Sequence, residues 1–301
     1  MKTLKFGVVA PVAAGVTADP RWMVAFARHL EACGFESITA VEHTVLATRY
    51  DSVYPYDPSG RVELAADCPV PDPIDLLSFL AAHTDRLGLA TGVLVLPNHH
   101  PVVLAKRAAT VDALSGGRLR LCVGVGWLRE EIEACGTEFE SRGRRADEQL
   151  AVLRALWDQR PDGVTHHGEF FQFKDAVCSP KPVAGRHLPV HIGGHSKAAA
   201  RRAGRLGDGF QPLGVTGAQL DSMLMLMRDE AQAAGRRQPP RRVLPVRERR
   251  LQPETCCRSA TSRAHRRTQQ SGSSTGRTLR RWLPAAGGGR RAAGWPACAD
   301  A

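Results

Sequence analysis

Near-continuous apolar runs alternate with amphipathic stretches through the first 235 residues. Residues 4–10 (LKFGVVA) read as a strand, and residues 21–33 as a helix with Trp22, Phe26 and Leu30 spaced for one buried face. The run ESITAVEH (36–43) is the next strand, followed by a long connection, 44–72, rich in Pro, Tyr and Asp. A helix is predicted over 73–86, a strand over 87–97, a helix over 101–114, the turn SGG, and a strand over 118–126. Helical stretches near 128–135 and 143–157 lead through GEFFQF to a strand over 188–194. A helix over 196–206, the short GDGFQPLG and a helix over 216–234 complete the series.

Strands that are apolar throughout and each followed by a helix suit a parallel sheet covered by helices, either a (β/α)8 barrel or a doubly wound sheet. Both architectures place ligands at the carboxyl ends of the strands. The polar and glycine-rich clusters stand there: Glu42 and His43, Asn98 and His99, Gly124 to Trp127, and Gly193 to Ser196. The last cluster runs a strand through two glycines into an Ala-rich helix with Ser196 as its N-cap. Such a junction either shapes a tight turn or receives an anion such as a phosphate. His191 and His195 have H-x3-H spacing, but they straddle a strand end and a Gly-Gly turn with no carboxylate nearby in sequence, so no metal site is expected.

The formal net charge of +11 is unevenly distributed. Residues 236–301 hold 16 Arg, no Lys and three acidic residues, a net of +13, which leaves −2 for residues 1–235. The body is therefore near neutral, and nucleic acid is not its expected partner. The last 66 residues contain no Ile, Phe, Tyr or Met and cannot supply two buried strands. Their Arg, Pro, Ala and Gly are what GC-rich DNA encodes when read out of frame, which points to a frameshift near residues 235–240. A natural disordered basic tail is the other reading. The expected division is a barrel domain, 1–235, and a basic low-complexity tail, 236–301. Eight cysteines without a C-x-x-C pair read as reduced thiols. Gly7 and Pro11 interrupt the apolar N-terminal stretch, which reads as a first strand rather than a secretion signal; with no run of membrane-spanning length, a cytoplasmic protein is expected.

The segment HPVVLAKRAATVDALSGGRLRLCVGVGWLREEIEACG (100–136) resembles the luciferase-like monooxygenase superfamily, and within it the actinobacterial oxidoreductases that use the deazaflavin coenzyme F420. AVEH, YPYDPSGR, ATGVLVLPNHHP, HGEFFQF, PKP and IGGHSKAAARRAGRLGDGF extend the likeness from residue 5 to about residue 234. The resemblance implies a (β/α)8 TIM barrel of the bacterial luciferase type, here incomplete at strands seven and eight, and a homodimer that an incomplete barrel would compromise.

It further implies a small-molecule organic substrate and F420 as cofactor, with FMN and oxygen chemistry, or an inactive truncated product, as the alternatives. Gly193, Gly194, His195 and Ser196 would cradle the cofactor phosphate, Thr91, Gly92, Val93 and Asn98 would meet its ring, and Gly124 and Gly126 would let the ring lie against the main chain. A cis peptide is implied at Gly92–Val93. Glu42 and His43 would act near the reactive carbon, although the pair could also simply cap its strand. Glu130 is a second acid/base candidate with Glu131 solvated beside it, and the reverse assignment is open. Trp127, Tyr54 and Tyr56 would wall the substrate pocket, the tyrosines from a lid formed by the 44–72 loop.

Overall fold

The computed structural model describes residues 5–158, 161–183 and 187–236 and the main chain of 241–242. The rest of the predicted basic tail lies outside the described residues. Six parallel strands carry the architecture: β1 (Gly7–Val9), β2 (Ser37–Ala40), β3 (Gly88–Thr91), β5 (Leu119–Gly124), β8 (Val190–Gly193) and β9 (Gly209–Gln211). They pair in the order β1-β2-β3-β5-β8-β9, and β4 (Leu94–Val95) joins β5 beyond the end of β3. A two-residue β10 (Arg241–Arg242) adds to β9, inside the segment where no strand was expected. Among the described residues no strand links β10 back to β1, so over those residues the sheet is an incomplete (β/α)8 barrel.

The helices begin where the sequence marks them. Asp19 caps α1 (Pro20–Ala32) by accepting the N–H groups of Arg21 and Trp22, and Asp72 caps α2 (Pro73–Ala81) by accepting those of Ile74 and Asp75. In both, proline at the first helical position fixes φ where a missing N–H costs nothing. The outer layer continues with α3 (Pro101–Leu114), α4 (Arg129–Ala134), α5 (Arg142–Trp157), α6 (Lys197–Leu206) and α7 (Gly217–Ala233). Ile38, Leu89, Leu121, Val190, Ile192 and Phe210 on the strands meet Leu77, Leu80 and Leu104 on the helices in one continuous core.

Three local expectations are corrected. On α1 the buried face is Met23, Ala27 and Leu30; Trp22 is exposed and stacks on Phe26 at 4.8 Å, because the true stripe lies one residue further round the helix. The apolar run 87–97 is two short strands, separated at Gly92–Val93, whose peptide is cis as the resemblance implies. Between α5 and β8 an antiparallel hairpin forms from β6 (Val164–His167) and β7 (Gln172–Ala176). Its exposed, mixed residues carry no clean alternation to announce it.

Candidate active site

Because the strands run parallel, their carboxyl ends open on one side, and the connections leaving β2, β4, β5 and β8 converge there. His43, just past β2, meets a carboxylate from the helix after β5: His43 Nδ1 lies 3.0 Å from Glu131 Oε2. The carboxylate can only accept, so Nδ1 carries the hydrogen and Nε2 is left for other work. Glu131 Oε1 also accepts the Thr44 N–H, which holds the start of the long loop. Both side chains of the pair are largely buried, at 12 % and 3 % exposure, so the bond is shielded from competing water.

A second histidine–carboxylate pair stands beside the first. Glu42 Oε1 lies 2.6 Å from His99 Nε2, and its Oε2 accepts the Val95 N–H. Both carboxylate oxygens are thus spent on the segment that follows Gly92–Val93, and Glu42, expected at the reactive carbon, ties that segment to β2. Asn98 donates from Nδ2 to Thr44 Oγ1 at 3.3 Å, while its Oδ1 is buried without a partner among the described residues. A buried acceptor in that state calls for a donor from a ligand or a water.

Glu130 and Glu131 exchange the environments expected of them. Glu131, expected in solvent with the reverse assignment left open, is buried against His43. Glu130 turns to the long loop instead: it accepts the N–H groups of Asp51 at 2.8 Å and Ser52 at 3.3 Å, and the Ser52 hydroxyl at 2.7 Å. Partial burial pushes the Glu130 carboxyl up, but the Ser52 hydroxyl and these N–H groups outweigh it and hold the pKa below the ordinary value. Helical spacing holds the clue to the swap. Leu128 and Ile132 are buried, and Glu131, three residues on from Leu128, shares their face.

The glycines are explained chiefly by neighbouring side chains. A Cβ on Gly193 would lie 2.3 Å from Val93 Cγ1, and one on Gly124 would lie 2.9 Å from Val93 Cγ2. Gly126 has φ +77°, and a Cβ there would press on Ile132 and Val95. Gly124 and Gly126, expected to admit a ring, therefore make room for valine and isoleucine. Gly92 similarly faces the Thr39 methyl. Thr91, expected at the cofactor, is fully buried, and its hydroxyl donates to the Cys122 carbonyl at 2.7 Å and accepts the Cys122 N–H at 2.9 Å. It locks two strands together.

Past β8, Gly194 takes φ +131°, a conformation that favours glycine, and Ser196 caps α6 by accepting the Ala199 N–H at 3.1 Å. Ala200 N–H bonds the Ser196 carbonyl, whereas helix geometry supplies no acceptor for the N–H groups of Lys197 and Ala198. Open donors at the start of a ten-residue helix, beside Gly194, suit a phosphate. His195 is exposed and reaches Tyr56, with Nδ1 and the phenol oxygen 3.3 Å apart. From there aromatic contacts cross the mouth: Tyr56 on Tyr54 at 5.4 Å, Tyr54 on Trp127 at 5.1 Å, and Trp127 within 6.2 Å of His43. Burial, with Tyr54 and Cys122 adding to it, pushes the Tyr56 phenol up to about 12, so it is neutral near pH 7. The sequence reading left Tyr50 and His99 without roles and named Glu131 only as the alternative to Glu130; Tyr50 also edges onto Trp127, at 5.6 Å. Among the described residues no three His, Cys, Asp or Glu side chains gather to hold a metal ion, and no helix is long and apolar enough to cross a membrane.

A parallel α/β sheet with its polar groups gathered at the carboxyl rim defines a barrel-type scaffold with one rim site, and the comparisons name its family. The profile described as luciferase-like monooxygenase matches residues 4–248, and the chain belongs to that family. It is 33 % identical over 221 residues to "Uncharacterized protein Rv0940c" of Mycobacterium tuberculosis, covering 73 % of this chain and 75 % of that protein. It is 29 % identical over 221 residues to an F420-dependent glucose-6-phosphate dehydrogenase of Amycolatopsis mediterranei, covering 71 % of this chain and 60 % of that one. An FMNH(2)-dependent dimethylsulfone monooxygenase of Pseudomonas putida is 35 % identical over 134 residues, covering 44 % and 36 %. Among solved structures, the monooxygenase RslO1 of Streptomyces bottropensis superposes with a TM-score of 0.65 at 25 % identity, covering 89 % of this chain and 79 % of that one. The family thus includes relatives that use F420 and relatives that use FMN.

Proposed function

We propose that this protein is an F420-dependent oxidoreductase in which hydride passes between the deazaflavin and a small organic substrate, with His43, backed by Glu131, managing the proton. The observation that carries the reading is the shielded His43–Glu131 pair at the same rim as the open N–H groups that start α6. When bound, the deazaflavin supplies a two-electron hydride donor or acceptor.

The chain's own residues divide the remaining work. Gly193, Gly194, His195 and Ser196, with the first N–H groups of α6, would hold the phosphate without needing a buried cation. Gly92 and Val93 would support the ring, and Asn98 Oδ1, buried without a partner among the described residues, would accept a donor from it. Trp127, Tyr54 and Tyr56 wall the substrate and exclude water. Glu131 fixes the His43 tautomer and steadies the imidazolium when His43 holds the proton, while Glu42 and His99 keep the 93–98 segment in place.

The longer match to an F420-dependent relative, 71 % of the chain against 44 % for the FMNH(2)-dependent one, supports the deazaflavin. The 35 % identity to the latter supports the second reading, an FMN-dependent monooxygenase. Fluorescence titration with F420 and with FMN separates them. Tighter F420 binding is expected; tight FMN binding with oxygen uptake in the presence of reduced flavin would replace the first reading with the second.

A further inference from the structure

We propose that Glu130 is a positioning residue that seats the tyrosine-bearing loop on the barrel mouth. The inference rests on reading that mouth as the active site. The loop spans 29 residues, 44–72, and carries Tyr50, Tyr54 and Tyr56. Among the described residues, the hydrogen bonds from its 45–67 stretch to residues outside the loop end on three places: the Glu130 carboxylate, the Arg129 N–H and His195. Glu130 supplies three of them, and the Ser52 hydroxyl that donates to it also accepts the Arg129 N–H at 3.0 Å. Beyond these, the loop's tyrosine rings touch Trp127 and His195, contacts that fix distance but only weakly fix position.

The geometry ties this latch to the chemistry. Asp51 and Ser52, the latched residues, lie between Tyr50 and Tyr54, and both of those rings sit edge-on against Trp127, at interplanar angles of 72° and 62°. Trp127 comes two residues before the start of α4, whose neighbouring Glu131 holds His43. Two adjacent carboxylates on one short helix thus orient the two halves of the site, one the proton carrier and the other the wall opposite. A flexible loop of this length reopens readily unless directional bonds hold it. Carboxylate–N–H and carboxylate–hydroxyl bonds are the strong kind, and removing their shared acceptor releases all three at once.

The test uses the full chain without cofactor, so its outcome is separate from that of the cofactor titration. Trypsin cleavage after the exposed Arg49 and Arg61 reports loop opening, and 5-fluorotryptophan at Trp127, identified with Trp127→Phe, reports the tyrosine contacts by 19F NMR. Glu130→Ala is expected to speed cleavage at Arg61 about tenfold and to shift the Trp127 resonance. Glu130→Gln, whose Oε1 still accepts both N–H groups, should restore both readouts to within about twofold of wild type. Should Glu130→Ala fail to fold, Ser52→Ala removes the hydroxyl side of the latch and must move both readouts in the same direction. Unchanged cleavage with an unmoved Trp127 signal in Glu130→Ala or Ser52→Ala, or a Gln variant as loose as the Ala variant, overturns the proposal.

Discussion

A methyl group added at Gly193 probes how tightly the strand ends are packed under the site. The new Cβ would stand 2.3 Å from Val93 Cγ1 and 3.6 Å from the Val123 carbonyl oxygen. Carbon atoms pack at about 3.5–4.0 Å, so the overlap exceeds 1 Å. Val93 has little freedom to relieve it, because a β-branched side chain is stiff about χ1 and its other methyl already stands 2.9 Å from where a Gly124 Cβ would be. Overpacking of this kind costs about 1–3 kcal/mol. For a domain of this size each kcal/mol lowers Tm by about 2–4 °C, so Gly193→Ala should melt about 2–12 °C below wild type. Val93→Ala removes both methyls and alone costs about 1.5–2 kcal/mol of lost burial. In the double variant the added methyl enters the space just vacated, so the two costs should fall short of additivity by about 1 kcal/mol. Urea and thermal unfolding of the four proteins measures the coupling. Additive costs, or a Gly193→Ala protein as stable as wild type, would refute the contact between Val93 and the β8 glycine.

Three further outcomes follow from other parts of the structure. Glu131→Gln leaves an amide that can accept only one of the two bonds its carboxylate accepts, at a cost of about 1.5–3 kcal/mol; turnover should fall about tenfold or more, and 15N NMR should show His43 no longer held with hydrogen on Nδ1. A variant with the wild-type tautomer and rate would remove the proton role. Burial pushes the Asp208 carboxyl up, but His187, the Val190 N–H and Arg154 prevail and hold its pKa below 3.8. Its stabilisation is therefore complete above the unfolded value and lost as pH falls through the lower folded value. Unfolding curves of wild type and Asp208→Asn should accordingly separate near neutral pH and converge in acid, and a constant gap down to the lowest pH would contradict the assignment. Burial also pushes the Cys122 thiol up to about 12, so iodoacetamide at pH 8 should label exposed Cys33 and spare Cys122 until the chain unfolds; mass mapping that finds both labelled alike would count against the packing of β5.

Much of the scaffold was legible along the chain because its signals are local. Apolar runs marked the parallel strands, amphipathic stretches between them marked the helices, and the strand ends marked where His43, Trp127 and Ser196 would gather. The hairpin β6–β7 escaped because its residues are largely exposed and its register shifts between Val164 and His166, which blurs the period of two. The buried face of α1 escaped by one residue, since Trp22 is apolar yet lies beyond the edge of the contact.

By itself the sequence determined the alternation of strand and helix, the rim on which the polar groups stand, and the family, since all three depend on the order and kind of residues along the chain. Only the tertiary structure decided what each polar group does. Neighbouring carboxylates at 130 and 131 are almost equivalent as letters, but about 100° of helical turn sends one to a loop and the other to His43. Glu42 and Thr91 likewise proved to be ties, to His99 and Cys122, residues 57 and 31 positions away. Hydrogen-bond partners are set by which distant segments the sheet brings side by side, and that is a property of the folded chain.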